Sequence, residues 1–168
     1  MAKTIRTILW AGSVAGVLDI TSAFVLFGLR GISPAKILQG IASGLLGARS
    51  YRGGAGTVVL GGALHFLIAF SAAAIYYAAS RRISFLTKRP IVAGLLYGPL
   101  VYAFMNGVVL PLSMIPRRAI SAGDLITGVI ILSCLVGLPI SLIVWRSSQG
   151  ETDSFAASPS GTAATRLA

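Results

Sequence analysis

Apolar residues fill this chain in four long stretches, at 5–29, 55–80, 91–115 and 125–145. Each reaches the ~20 residues that a helix needs to cross a ~30 Å hydrocarbon core, so each predicts a transmembrane span. Pro99 and Pro111 interrupt the third stretch, and Pro139 lies near the end of the fourth. Such breaks are tolerated in a membrane where neighbouring groups satisfy the freed carbonyls. A fifth apolar stretch, 37–48, has only twelve residues. It is too short to span and predicts a re-entrant or interfacial helix over 34–48. Ser33 followed by Pro34 reads as an N-cap with proline in the first helical position. On that helix Ile37, Leu38, Ile41 and Leu45 share one face, while Gly40, Ser43, Gly44 and Gly47 form a small-residue face suited to close packing. Gly53 and Gly54 then predict a turn into the second span.

The pattern divides the chain into a transmembrane domain, 1–146, and a tail, 147–168, rich in Ser, Thr, Ala and Gly and expected to be disordered. The first stretch is too long for a signal-peptide core, contains Asp19 and is followed by no Ala-x-Ala site, so it reads as a retained signal-anchor helix. No internal repeat relates the two halves, which removes the usual mark of an inverted-repeat transporter.

Composition agrees with the pattern. Hydrophobic residues make up 55% of the chain, charged residues 11%, and mean hydropathy is +0.86. A water-soluble fold of 168 residues could not bury so much apolar surface. The predicted class is an all-α, four-helix transmembrane bundle with one extra short helix between spans 1 and 2. The net charge of +10 does not point to nucleic acid, because the cations cluster between apolar runs and no basic surface interleaves with aromatic residues. Flanking cations of this kind meet anionic lipid head groups, so the lipid bilayer is the expected partner. With both termini cytoplasmic, eight cations lie inside (Lys3, Arg6, Arg81, Arg82, Lys88, Arg89, Arg146, Arg166) and six outside (Arg30, Lys36, Arg49, Arg52, Arg117, Arg118). This orientation is therefore favoured by a small margin.

Few residues carry chemistry. Cys134 is the single cysteine, so no intramolecular disulfide exists, and it reads as a buried small apolar residue. One histidine and one cysteine do not make a tetrahedral zinc site. No Gly-x-Ser-x-Gly elbow is present, no catalytic residue is assigned, and neither a cofactor nor an enzymatic activity is expected. Gly12 with Gly16 and Gly40 with Gly44 are small-xxx-small pairs that close helix packing explains. Trp10, Tyr76, Tyr77 and Trp145 suit an aromatic belt.

One polar layer stands out. Asp19 is the only acidic residue before Asp124, and it lies deep in the first stretch. A carboxylate at that depth should face protein, water or a partner. Asp19 is ten residues before position 29 and His65 ten after position 55. In antiparallel neighbours both then sit about 15 Å from the same end, at 1.5 Å per residue. Each lies on a small-residue stripe: Gly12, Gly16, Asp19 and Ala23 in the first span, and Gly61, His65, Ala69, Ala72 and Tyr76 in the second. These spacings predict an Asp19–His65 contact in the bundle interior, with Asn106 and Tyr102 as neighbours and Ser133 and Cys134 near the same level. Two readings follow. In one, Asp19 accepts a hydrogen bond from His65 and the pair fixes helix register. In the other, the pair exchanges a proton and serves a small transporter or proton-linked permease.

Four segments together resemble a known group of proteins: Leu18-Asp-Ile20, the run from Ser33 to Gly47 (SPAKILQGIASGLLG), Gly61-Gly-Ala-Leu-His-Phe-Leu-Ile-Ala-Phe70, and Met105-Asn-Gly-Val-Val-Leu-Pro-Leu-Ser113. The chain is similar, over most of 5–145, to a group of small bacterial inner-membrane proteins with four spans and no established activity. The resemblance implies a bacterial inner-membrane location and the four-span fold, and it transfers no mechanism. Asp19, Gln39, His65 and Asn106 all lie within the quoted segments. The function expected from the whole reading is a non-enzymatic packing or interaction module, with a second copy of the chain as a candidate partner. The alternative is the permease built on Asp19 and His65.

Overall fold

The structure is a computed structural model that describes residues 2–115 and 121–156, with side chains to Gln149. Helix α1 runs Ala2–Gly28. Helix α2, Pro34–Leu46, leads into a 3-10 segment, Gly47–Arg52. Helix α3 is Gly54–Ser80 and α4 is a single turn, Phe85–Lys88. Helix α5 covers Pro90–Leu112, and α6 covers Ala122–Gln149 and continues to Ala156. Helices α1, α3, α5 and α6 are each long and apolar enough to cross a membrane, and no strand occurs among the described residues. The chain is therefore an all-α bundle of multi-pass membrane type.

Local sequence explains the boundaries. Ser33 caps α2 by accepting from Lys36 N–H (3.4 Å), with Pro34 in the first helical position. Gly47 ends α2 with φ +58°, and Gly54 opens α3 with φ +57°, a region that L side chains rarely adopt. One boundary departs from expectation. The tail expected to be disordered from residue 147 is helical to Ala156. Once a span has nucleated a helix, adding residues is cheap, so polar composition alone does not stop it. Residues 157–168, and Arg117 and Arg118, lie outside the described residues.

Helix α1 packs on α3 and on α6, α5 packs on α6, and α2 folds back on α3. The main buried cluster runs from the middle of the bundle toward the end that carries Lys3: Ala11, Ala15, Ala72, Ala73, Tyr76, Ala93, Val136, Ile140 and Val144. Its alanines bring backbones close, which is how membrane helices gain packing without a hydrophobic drive between them. Tyr76, placed in the aromatic belt by sequence, is instead 1% exposed and stacks edge-on against Tyr97 at 4.9 Å. Trp10 does face outward, at 64% exposure. Hydroxyl pairs, Thr4–Tyr77 (3.1 Å) and Thr7–Ser147 (2.8 Å), lace the same end.

Prolines organise α5 and α6. A proline has no N–H, so the carbonyl four residues earlier loses its helical partner. Pro99 frees Leu95 O, and Ser133 Oγ of α6 donates to it (3.2 Å). Leu86 O, left unpaired where α4 ends at Lys88, accepts from Tyr76 Oη of α3 (3.2 Å). Pro111 and Pro139 are handled differently. Each follows by two residues a π-helical turn, Met105–Val109 or Leu132–Gly137, in which Leu110 N–H reaches Met105 O and Leu138 N–H reaches Ser133 O. The wider turn gives the proline ring room. Cys134 lies in the second π turn and is exposed, which corrects the buried placement read from sequence.

Candidate functional site: the α1–α3 polar contact

Gly16 builds the contact by what it lacks. A Cβ there would lie 2.9 Å from the Phe66 ring and 3.2 Å from Ala69 Cβ, and one at Gly12 would strike the Phe70 ring. The bare backbone of α1 therefore lets α3 lie close enough for His65 to reach it. His65 Nε2 is 2.9 Å from Gly16 O. A carbonyl oxygen only accepts, so Nε2 carries the proton and donates. The imidazole meets Phe66 edge-on at 5.4 Å and 84°, which holds the ring plane.

Asp19 lies one turn beyond Gly16, is half-buried, and interacts electrostatically with His65. The predicted facing of the two residues is found, but the predicted hydrogen bond between their side chains is not. Among the described residues the Asp19 carboxylate takes part in no hydrogen bond; its backbone carbonyl accepts from Ser22 Oγ (2.7 Å). Histidine bonds to the carbonyl because the glycine stripe presents it a turn nearer than the carboxylate.

Asn106 and Tyr102 belong elsewhere. Asn106 Nδ2 donates to Tyr102 O of its own helix (2.9 Å), inside the first π turn. The Tyr102 ring fills the space over Gly128 of α6. No hydrogen bond or ring contact joins either residue to Asp19 or His65 among the described residues. The expected convergence of Asp19, His65 and Asn106 is thereby corrected: equal depth does not make neighbours when α6 packs against both α1 and α5. Ser133, placed at the same level, is committed to Leu95 O.

A second polar cluster was not assigned from sequence. Gln39 Nε2 of α2 donates to Thr57 Oγ1 (3.3 Å) and to Gly54 O (3.4 Å), and Thr57 Oγ1 donates to Ser50 O (2.7 Å). Ser50 is fully buried beside them, and its Oγ has no hydrogen-bond partner among the described residues. Next to this clasp the backbone of Leu38 rests on Gly61, where no Cβ would fit. Thus Gly61, expected on the interface with α1, serves α2. The small face of α2 meets the segment after α5: Gly44 O accepts from Met114 N–H (2.9 Å), and Ser113 lies over Gly44. In the sequence Gln39 stood out only by lying within the run 33–47, and nothing in its spacing names Thr57 as the partner.

No group of three or more His, Cys, Asp or Glu able to hold a metal occurs among the described residues. A cleft of about 580 Å³ between α1 and α6 is walled mainly by aliphatic residues, with Thr21, Ser22 and Thr127, and neither Asp19 nor His65 lines it. Compared with protein-family models, curated proteins and solved structures, the chain matches none.

Proposed function

We propose that this protein is a non-enzymatic packing or interaction module of a bacterial inner membrane, both ends cytoplasmic. The observation that carries the reading is the 2.9 Å bond from His65 Nε2 to Gly16 O. It commits the only histidine of the chain to holding α1 against α3. A proton relay needs the imidazole free to exchange with water or a carboxylate. Here one nitrogen is engaged by a backbone carbonyl, and neither residue of the pair lines the cleft between α1 and α6. Other deep polar side chains also fasten the bundle. Ser133 satisfies the carbonyl that Pro99 frees, Tyr76 satisfies one at the end of α4, and Gln39 clasps α2 to α3. Cellular location rests on the resemblance at 33–47, 61–70 and 105–113, and orientation on the cation count.

The competing reading, a proton-linked permease, is tested by flux. The full chain is reconstituted in liposomes with a trapped pH dye under an imposed pH gradient. Proton leak equal to that of protein-free liposomes, and unchanged by Asp19→Asn, is the expected result. A leak that the wild type carries and Asp19→Asn abolishes would overturn the packing reading.

A further inference from the structure

A small cavity of about 20 Å³ lies where α3, α4 and α6 meet, at the end of the bundle that carries Lys3. Ser80 and Arg81 reach it from the end of α3, Thr87 from α4, and Val144 and Ser147 from α6. Ser80 and Val144 are buried. The α1–α3 contact and the Gln39 clasp use none of these residues.

We infer that this cavity is a binding site for one ordered water, which ties the single turn α4 to α3 and to the last span. The hydroxyl protons decide what the occupant must offer, because each hydroxyl has only one to donate. Ser80 Oγ gives its proton to Tyr77 O (2.7 Å), and Thr87 Oγ1 gives its own to Ser84 O (3.1 Å). Thr7 Oγ1 donates to Lys3 O (2.9 Å). In the Thr7–Ser147 pair (2.8 Å) Ser147 is therefore the donor, and its proton is spent as well. Three hydroxyl oxygens thus line the cavity able only to accept. Arg81 beside them can only donate, and its five N–H groups leave donors to spare beside any other bond it makes.

The occupant must then donate and accept at once, and it must be small. Water does both. It needs a cavity of about 10–15 Å³ and two to four polar partners, and the site supplies each. An anion would find three oxygens with no proton to give it. An alkali or ammonium ion would find the oxygens but meet the like charge of Arg81. The inference goes beyond the packing role of His65, and the proton-flux result leaves it untouched.

A double-mutant cycle on Ser80→Ala and Thr87→Val, read by equilibrium unfolding of the full chain in mixed micelles, tests it. Neither hydroxyl donates to the other, so no direct bond couples them. With a shared water, the first substitution already breaks the bridge. The double variant should then unfold about fivefold less readily than the product of the single effects, equivalent to ~1 kcal/mol. Ser80→Ala with Ser71→Ala is the control, since Ser71 is exposed and bonds Leu67 O; these two effects should multiply. A crystal structure should show one ordered water within hydrogen-bond distance of both Ser80 Oγ and Thr87 Oγ1. Effects of Ser80 and Thr87 that simply multiply would overturn the proposal. So would a crystal structure in which the cavity is dry or holds an ion.

Discussion

Gly16 and Gly98 show how much single missing side chains decide in this bundle. At Gly16 the open backbone gives His65 an acceptor, and at Gly98 it lets α5 rest on the backbone of Ser133. Gly98→Ala should therefore destabilise by about 1–3 kcal/mol, the usual cost of overpacking. Gly62 is the control, since a Cβ there meets nothing within 4 Å. Gly62→Ala should be neutral or stabilising by up to about 1 kcal/mol, from helix propensity alone. Thermal melting in mild detergent distinguishes the two, and equal melting of both variants would contradict the close crossing. At this scale the sequence was partly legible. Depth and stripe arguments brought Asp19 and His65 to the same interface, because 3.6-residue periodicity and antiparallel pairing suffice for that. They did not reveal that His65 would choose a backbone carbonyl, since every residue has one and only the packed distance selects among them.

Helix α5 depends on a donor from α6 at Pro99. Pro99 was readable as a break that some neighbour must satisfy, and the residue left unpaired, Leu95, follows from the four-residue spacing. The donor, Ser133, lies 38 positions away in sequence and is set by how α5 and α6 cross. A double-mutant cycle tests the assignment. Ser133→Ala should cost about 1–3 kcal/mol, because it leaves a buried carbonyl unsatisfied. In a Pro99→Ala background the restored N–H pairs with Leu95 O, and the Ser133→Ala cost should largely vanish. Additive effects would contradict the repair. Helix α2 offers a parallel case. Gln39→Leu removes its bonds to Thr57 and Gly54. Amide hydrogen exchange in α2 should then speed up while α1 and the core end of α3 stay protected. Uniform exchange across the bundle would show that α2 is not separately clasped.

At the scale of the whole molecule, span number and the short helix were legible because length and apolarity decide them. Their lateral order was not. Hydropathy carries no information on which side of α6 a span lies, and that is why Asn106 and Tyr102 were expected beside Asp19 and are found instead where α5 packs on α6. Four spans bring Lys3 and Arg146 to the same end. Single cysteines at those positions in a Cys134→Ser background should label from one face of a sealed vesicle, and one at Arg52 from the other. Labelling of positions 3 and 146 from opposite faces would refute the topology. On the proposed function, His65, Ser133 and Gln39 fasten helices and the bundle moves no protons. Thermal unfolding of His65→Ala and Asp19→Asn in mild detergent tests this most directly. His65→Ala should melt a few degrees below the wild type, since about 1 kcal/mol corresponds to roughly 2–4 °C at this size. Asp19→Asn should melt close to the wild type, because its carboxylate makes no hydrogen bond that amidation would remove. A His65→Ala protein as stable as the wild type, or an Asp19→Asn protein several degrees less stable, would contradict the fastening role.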